Sequence, residues 1–201
     1  MKRTHEEHAA RFNAIADEYD DDKSEEYRAC VSLVVEAADP AADETVLDVG
    51  CGTGAIGLRL AESAGRVVGR DVSEGMMRQA ERKAAERGLS NVEFGEGTFR
   101  DPAVDAADVV VSNFAMHHLS DGEKREALEV IAGLGPRRFV LGDVMFFGEP
   151  DSNEPFYSPE VDDPATVGVL ADALTDAGFA LVGVEKVHEQ VGVLVADRTA
   201  P

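Results

Sequence analysis

Short valine-rich runs alternate along this chain with segments of helical period. The runs at 46–49, 66–71, 91–95, 108–112 and 138–143 are bounded by glycine or by acidic and polar residues. Runs of this length and β-branched content suit strands buried on both faces of a parallel sheet. Segments 55–62, 74–87, 120–131 and 164–177 read as helices between or after them. Ser73 stands where an N-cap belongs, Gly88 and Gly178 close their helices, and Ser120 with Glu123 spells a capping box. At the end of the chain, 179–188 and 191–197 are strands separated only by Glu189-Gln190. So short a connection makes them an antiparallel hairpin. Ahead of the first strand, 5–35 reads as helical with a break at Asp20-Asp21-Asp22. One apolar stripe there runs through Phe12, Ile15, Ala16 and Tyr19, and a second through Tyr27, Cys30, Val31 and Val34. The expected architecture is α/β: a doubly wound sheet with an antiparallel strand near one edge. Residues 1–40 are expected to form a helical cap on a domain at 41–201, a single domain overall.

The first strand runs into Gly50-Cys-Gly52-Thr-Gly54. Glycines at a strand-to-helix turn allow positive φ and leave room for a ligand against the backbone. A helix start beyond them would offer N–H groups to an anionic part of that ligand. The spacing has two readings. Gly52-Thr-Gly54-Ala-Ile-Gly57 also satisfies the dinucleotide pattern G-x-G-x-x-G, with Asp71 near where its ribose acid belongs.

Composition narrows the picture. Asp and Glu number 40 against 19 Lys and Arg, for a formal net charge of -21. The acids are spread along the chain, and only five of the bases are lysine. An acidic surface repels nucleic acid and anionic membranes, but an even, lysine-poor distribution also fits a salt-rich cytoplasm. A halophilic protein is the preferred reading. No apolar run approaches membrane-spanning length and the first residues lack a signal-peptide core, so a cytoplasmic protein is expected. Two cysteines provide neither a disulfide framework nor a zinc cluster, and Cys51 reads as a small buried filler rather than a nucleophile. His5 and His8 flank two glutamates, which reads as a solvated helix end. No metal site is expected.

The closing hairpin decides between the two loop readings. With Asp48-Val-Gly-Cys-Gly-Thr-Gly54, Asp71 and Val111-Ser-Asn-Phe-Ala-Met-His-His-Leu119, the chain resembles the class I S-adenosylmethionine-dependent methyltransferases over roughly residues 10–197. The resemblance implies a Rossmann-like seven-stranded sheet in the order 3-2-1-4-5-7-6 with strand 7 antiparallel. It implies S-adenosyl-L-methionine as cofactor and S-adenosyl-L-homocysteine as product. By position, Asp48, Gly50, Gly52 and Gly54 would face the methionine end, and Asp71 would take the ribose hydroxyls. Val72 and Met76 would line the adenine with Thr98 and Phe99, and Asn113 and Phe114 would meet the cofactor amino group. The family often carries Asp where this chain has Thr98, whose hydroxyl can still make a hydrogen bond to the adenine.

A sulfonium methyl is already electrophilic, so the protein mainly positions the acceptor in line with the departing sulfur. A base is needed where the acceptor arrives protonated, and His117, His118 and Asp143 are the candidates at strand ends, ahead of His188. Segment 145–163 reads as a long loop carrying Phe146, Phe147, Phe156 and Tyr157. Loops longer than about 12–15 residues in a compact domain are usually functional or disordered. Phe146, Phe156 and Tyr157, with Tyr19, are therefore the expected acceptor cover. The acceptor is expected to be a small molecule. A nucleic acid is disfavoured by the lack of residues for a recognition domain and of an Asn-Pro-Pro-aromatic stretch. A methyltransferase-fold module that holds cofactor without turnover is the alternative.

Overall fold

In the computed structural model, residues 5–149 and 155–199 are described. Five parallel strands form first: β1 (Thr45–Val49), β2 (Arg66–Asp71), β3 (Val92–Glu96), β4 (Val109–Asn113) and β5 (Arg138–Val144). The hairpin of β6 (Phe179–His188) and β7 (Val191–Arg198) then adds β7 antiparallel to β5. The sheet order is 3-2-1-4-5-7-6. Reversal of direction on leaving β1, first toward β2 and then toward β4, opens a crevice at the carboxyl ends of these strands.

The helices are α1 (His5–Ile15), α2 (Glu25–Ala38), α3 (Gly57–Leu60), α4 (Glu74–Glu86), α5 (Asp121–Gly133) and α6 (Val167–Asp176). Alternate residues of each strand face opposite layers. Leu47, Val110, Phe139 and Leu141 pack with Leu128 and Ile131 of α5 and with Leu170 and Leu174 of α6. Val46, Val67, Val109 and Val140 pack with Cys30, Val31 and Val34 of α2 and with Leu60 of α3. The capping residues act as read: Ser73 accepts from Met76 N–H, and Ser120 and Glu123 complete the capping box of α5.

Three elements differ from the sequence reading. The helix expected over 55–62 is a single turn, because 52–56 coil as turns first. The last helix starts at Val167, capped by Thr166, because Ala165 and Thr166 stay extended. The carbonyl of Ala165 takes the Phe146 N–H, and Phe146 bridges Thr166. The two helices of 1–40 also serve different layers. α2 lies on the sheet, with Val34 packed over Gly142, whereas α1 lies outside it against α4. Asn13 Oδ1 takes the Gly75 N–H at 2.7 Å and the Ser73 hydroxyl at 2.8 Å, and Asp17 accepts from Gln79. Asp20 follows, bonded to Lys83 and, at 2.8 Å, to the Thr53 hydroxyl. No helix of the described residues is long and apolar enough to cross a membrane.

Candidate active site

The glycine turn after β1 is fixed by hydrogen bonds rather than by side-chain bulk. Gly50 and Cys51 N–H both donate to the Arg70 carbonyl, at 2.8 and 3.1 Å, which folds the turn back onto β2. Gly50 sits at φ 72°, and a Cβ there would stand 2.5 Å from the Ala115 methyl. Gly52, at φ 52°, would direct a Cβ into open space. These positions therefore exclude side chains for different reasons: one by contact, the other by backbone strain alone. Gly54 is turned away from the crevice, against Leu58 and Ala80. Its expected place on the cofactor face is corrected to one in the packing between turn and helix. The N–H groups expected to meet an anion are likewise taken internally: Gly57 donates to Asp48 and Leu58 to the Gly54 carbonyl.

Two buried acids flank the turn. Asp48 Oδ2 accepts the Gly57 N–H at 2.9 Å, and burial pushes its pKa up to about 7, with Asp71 adding to the rise. Asp71 accepts from Gly52 N–H and Ser73 N–H, both at 2.8 Å. Burial raises its pKa too, against the lowering effect of those N–H groups. Both carboxylates line one cavity, with Gly50, Gly52, Val72, Met76, Thr98, Phe99, Asn113 and Phe114. Cys51 also lines it, but burial holds its thiol well above the ordinary range, so it is no thiolate nucleophile. Thr98 Oγ1 already accepts the Asp101 N–H at 3.0 Å, leaving its hydroxyl hydrogen available. Phe114 holds φ 53°, fixed by its N–H on the Gly142 carbonyl at 2.8 Å. Strain of this kind concentrates where surrounding structure positions a site. The buried Asn113 amide faces the Tyr27 hydroxyl without reaching hydrogen-bond geometry, and neither of its polar atoms has a partner.

The far wall differs from the sequence reading. Tyr19 lines the cavity as expected, and burial, with Asp71 and Asp20 adding, raises its phenol to about 12. Its companions are Tyr27, Phe12, His8 and His118. Lys23 backs the two tyrosines, its ammonium 2.9 Å from the Tyr19 ring centre and 4.8 Å from that of Tyr27. His8, expected on a solvated helix end, is buried, with its ring 4.9 Å from that of His118. The sequence could not place it, since a histidine three residues into an acidic helix gives no sign of its partner. The His5 side chain lies outside the described residues.

Phe146, Phe156 and Tyr157 do not reach the cavity wall. Phe146 packs on Tyr157 at 5.6 Å, and Phe156 packs on His188 at 4.6 Å. Their rings pin the loop to the sheet edge, so the expected aromatic cover from this loop is corrected: among the described residues, the N-terminal aromatics Phe12, Tyr19 and Tyr27 line the cavity instead. Pro150, within that loop, lies outside the described residues.

His117 and Asp143 are corrected as well. His117 donates its backbone N–H to Asp143 Oδ2 at 2.9 Å and holds Nδ1 against Oδ1 at 2.5 Å. Burial lowers the pKa of His117, but Asp143 outweighs it and the net shift is upward. Neither group touches the cavity; they form a closed pair behind it. His118 does line the cavity, with Nδ1 2.7 Å from Asp162 Oδ1. Asp162 was missed in the sequence because only tertiary folding brings it across 44 residues. His117, His118 and Asp162 place ligand-type atoms within 4.8 Å of one another, a grouping the sequence did not reveal. Each histidine Nδ1 in it is already held by a carboxylate.

A sheet in this order, with a glycine turn folded between two buried acids, has the Rossmann-like fold of the class I S-adenosylmethionine-dependent methyltransferases. Residues 46–134 match the family described as Methyltransferase domain. The chain is 32% identical over 139 residues to the uncharacterised methyltransferase YcgJ of Bacillus subtilis, covering 66% of this chain and 53% of that one. It is 38% identical over 109 residues to nocamycin O-methyltransferase of Saccharothrix syringae, covering 52% of this chain and 39% of that enzyme. The chain thus spans about half or less of the length of these curated relatives. RNA methyltransferases also match. Among solved structures, the [4+2]-cyclase SpnF superimposes with a TM-score of 0.81, covering 100% of this chain and 98% of that one. At 17% identity that is a likeness of fold alone.

Proposed function

We propose that this protein transfers the methyl group of S-adenosylmethionine to a small-molecule acceptor by in-line displacement. The observation that carries the reading is one cavity of about 200 Å³ with the glycine turn and Asp71 on one wall and His118 with the two tyrosines on another. The fit to the cofactor rests on this chain's own groups. Gly52 opens onto free space, the buried Asn113 amide lacks partners, and the Asp71 carboxylate keeps lone pairs beyond its two backbone donors. In this reading Asp71 accepts the ribose hydroxyls, Gly50 and Gly52 admit the methionine end beside Asp48, and Asn113 and Phe114 meet its amino group. Val72, Met76 and Phe99 clasp the adenine, with the Thr98 hydroxyl as its polar contact. The cofactor supplies an electrophilic methyl; the protein holds the acceptor at the right distance and angle and keeps water away.

Tyr19, Tyr27 and Phe12 close the acceptor side, and a cavity under such a cap suits a small molecule better than a polymer. The relationship to nocamycin O-methyltransferase supports the same choice. Calorimetry with S-adenosylhomocysteine, then a screen of metabolite fractions with methyl-labelled cofactor, tests the proposal. Failure to bind the product would overturn it. A structure of the same fold is described as a cyclase rather than a methyltransferase, and the second reading is accordingly a methyltransferase fold that holds cofactor without turnover. Binding with no labelled product from any fraction would select it.

A further inference from the structure

His118 differs from the other titratable groups on the cavity wall in what stands behind it. Its Nδ1 meets Asp162 Oδ1 at 2.7 Å, and Asp162 Oδ2 accepts the Ser158 N–H at 2.7 Å. Only 4% of the Asp162 side chain is exposed. The segment carrying it is fastened on both sides. Asp163 N–H donates to the His117 carbonyl at 2.7 Å. The buried Lys124 ammonium donates to the Asp163 carbonyl, to the Leu119 carbonyl at 2.8 Å and to Asp121 at 3.1 Å. Residues 162–163 are thus bound to 117–119 from several directions, although the loop joins them only through 44 residues of chain.

An ionised carboxylate only accepts hydrogen bonds, so the proton between the two groups belongs to Nδ1. Nε2 then keeps its lone pair. The Asp162 carboxyl is ionised: burial would raise its pKa, but His118 and the Ser158 N–H bring it down to about 2. For His118, burial lowers the pKa further than Asp162 restores it, so the ring is neutral at pH 7. The charged and titratable groups around it are Asp162 from the loop, His117 and Asp143 from the strand ends, His8 from α1 and Asp71 across the turn, and the cavity is also lined by Glu123 of α5 and Arg100, paired with each other at 3.6 Å. The acceptor wall offers aromatic faces rather than a free carboxylate. Lys23 sets a positive charge behind Tyr19 and Tyr27, which disfavours an ammonium there.

We propose that His118 takes the proton from an oxygen acceptor, an alcohol or a phenol, and that Asp162 is the residue that positions it. The proposal rests on the methyl-transfer reading above. As the acceptor O–H bond breaks, its proton passes to His118 Nε2 and its electron pair stays on oxygen. An oxygen lone pair forms the new O–C bond while the methyl C–S bond breaks with its pair left on sulfur. Products are the methyl ether, the thioether and an imidazolium paired with Asp162, which returns its proton to solvent.

Two experiments test it. The first uses S-adenosylhomocysteine alone with 15N-labelled protein, reading the His118 tautomer and pKa by long-range 1H–15N spectra. Wild type is expected as the Nδ1–H tautomer, titrating below the ordinary value of 6.5. Asp162→Asn is expected to mix the tautomers and lower that pKa further, because Asp162 raises it. An Nε2–H tautomer in wild type, or a His118 unaffected by Asp162→Asn, overturns the proposal. The second offers methyl-labelled cofactor with phenols and aliphatic alcohols beside amines of matched size. Label is expected on oxygen, with His118→Gln lowering kcat at least about 100-fold. Asp162→Asn should lower kcat more than KM and move the acid limb of the pH–rate profile to lower pH. Product affinity should stay within about twofold in both variants. Label on amines alone, or product affinity lost in both variants, overturns the proposal. Stoichiometric Zn(II) binding that Asp162→Asn abolishes also overturns it, by making the cluster a metal site. A wild type that binds no product overturns the methyl-transfer reading itself.

Discussion

The two sides of the cavity are built by different means. The glycine-turn side is local: Asp48, Gly50, Gly52 and Asp71 lie within 24 residues, held by backbone N–H groups. The opposite side, where the proposal puts the acceptor, is assembled from four stretches, carrying His8 and Phe12, Tyr19 and Tyr27, His118, and Asp162. Its fastenings are side-chain contacts across 33 to 63 residues, such as Asp20 to Thr53, His118 to Asp162 and Asp20 to Lys83. A binding turn common to many acceptors can be written into one strand and one bend. A wall specific to one acceptor must be shaped by tertiary packing, which is also where it can be changed without loss of the fold.

The largest expected effect lies within the local side. Gly50→Ala drives a methyl into Ala115 at positive φ and should cost about 2–5 kcal/mol of stability in urea denaturation. Gly52→Ala meets nothing and should cost only about 1–2 kcal/mol, while weakening S-adenosylhomocysteine more than tenfold. Equal stability losses in the two variants would break the assignment of different duties to the two glycines.

Asp48 gives a pH-dependent test of the same side. Its native pKa of about 7 stands above the ordinary 3.8. Between these values the native chain keeps a proton that the unfolded chain has released. Stability should therefore fall as pH rises from about 4 to about 7, by an amount on the order of a few kcal/mol. Asp48→Asn keeps an oxygen for the Gly57 N–H and removes the charge. It should match wild type near pH 4 and exceed it in stability at pH 8. A stability difference that stays constant with pH would show that Asp48 carries no raised pKa.

Asp71→Asn should weaken product binding by about 1.5–3 kcal/mol, the range for hydrogen bonds to a charged group, with calorimetry as the measure. On the acceptor side, Asn13→Ala removes the Oδ1 that takes the Gly75 N–H and the Ser73 hydroxyl. It should speed amide exchange over residues 5–22 about tenfold while leaving product affinity closer to wild type than Asp71→Asn does. If Asn13→Ala weakens the product as much as Asp71→Asn, the two sides are one unit. The smallest effect per residue is that of charge. With net charge -21, the melting temperature should rise as salt goes from about 0.1 M to about 1 M and the Debye length falls from about 10 Å to about 3 Å. A flat response would remove the halophilic reading.

By itself the sequence determined where the strands fall, the hairpin, the caps and the glycine turn, while the strand order came only through the family resemblance. Each of these follows from local rules: a valine-rich run, a two-residue connection, a Ser with Glu three residues on, glycines where φ must be positive. It also carried Asp71, because an acid closing the strand beside the turn reaches that turn without any long-range contact. Only the tertiary structure decided which histidine faces the cavity. His117 and His118 are neighbours in sequence, and a 3-10 turn sends one back to Asp143 and the other outward to Asp162. It likewise took the aromatic loop rings off the acceptor wall and put His8 and Tyr27 there, because their partners lie on other elements. Burial and pairing between distant segments depend on how layers stack, and no single stretch of chain encodes that.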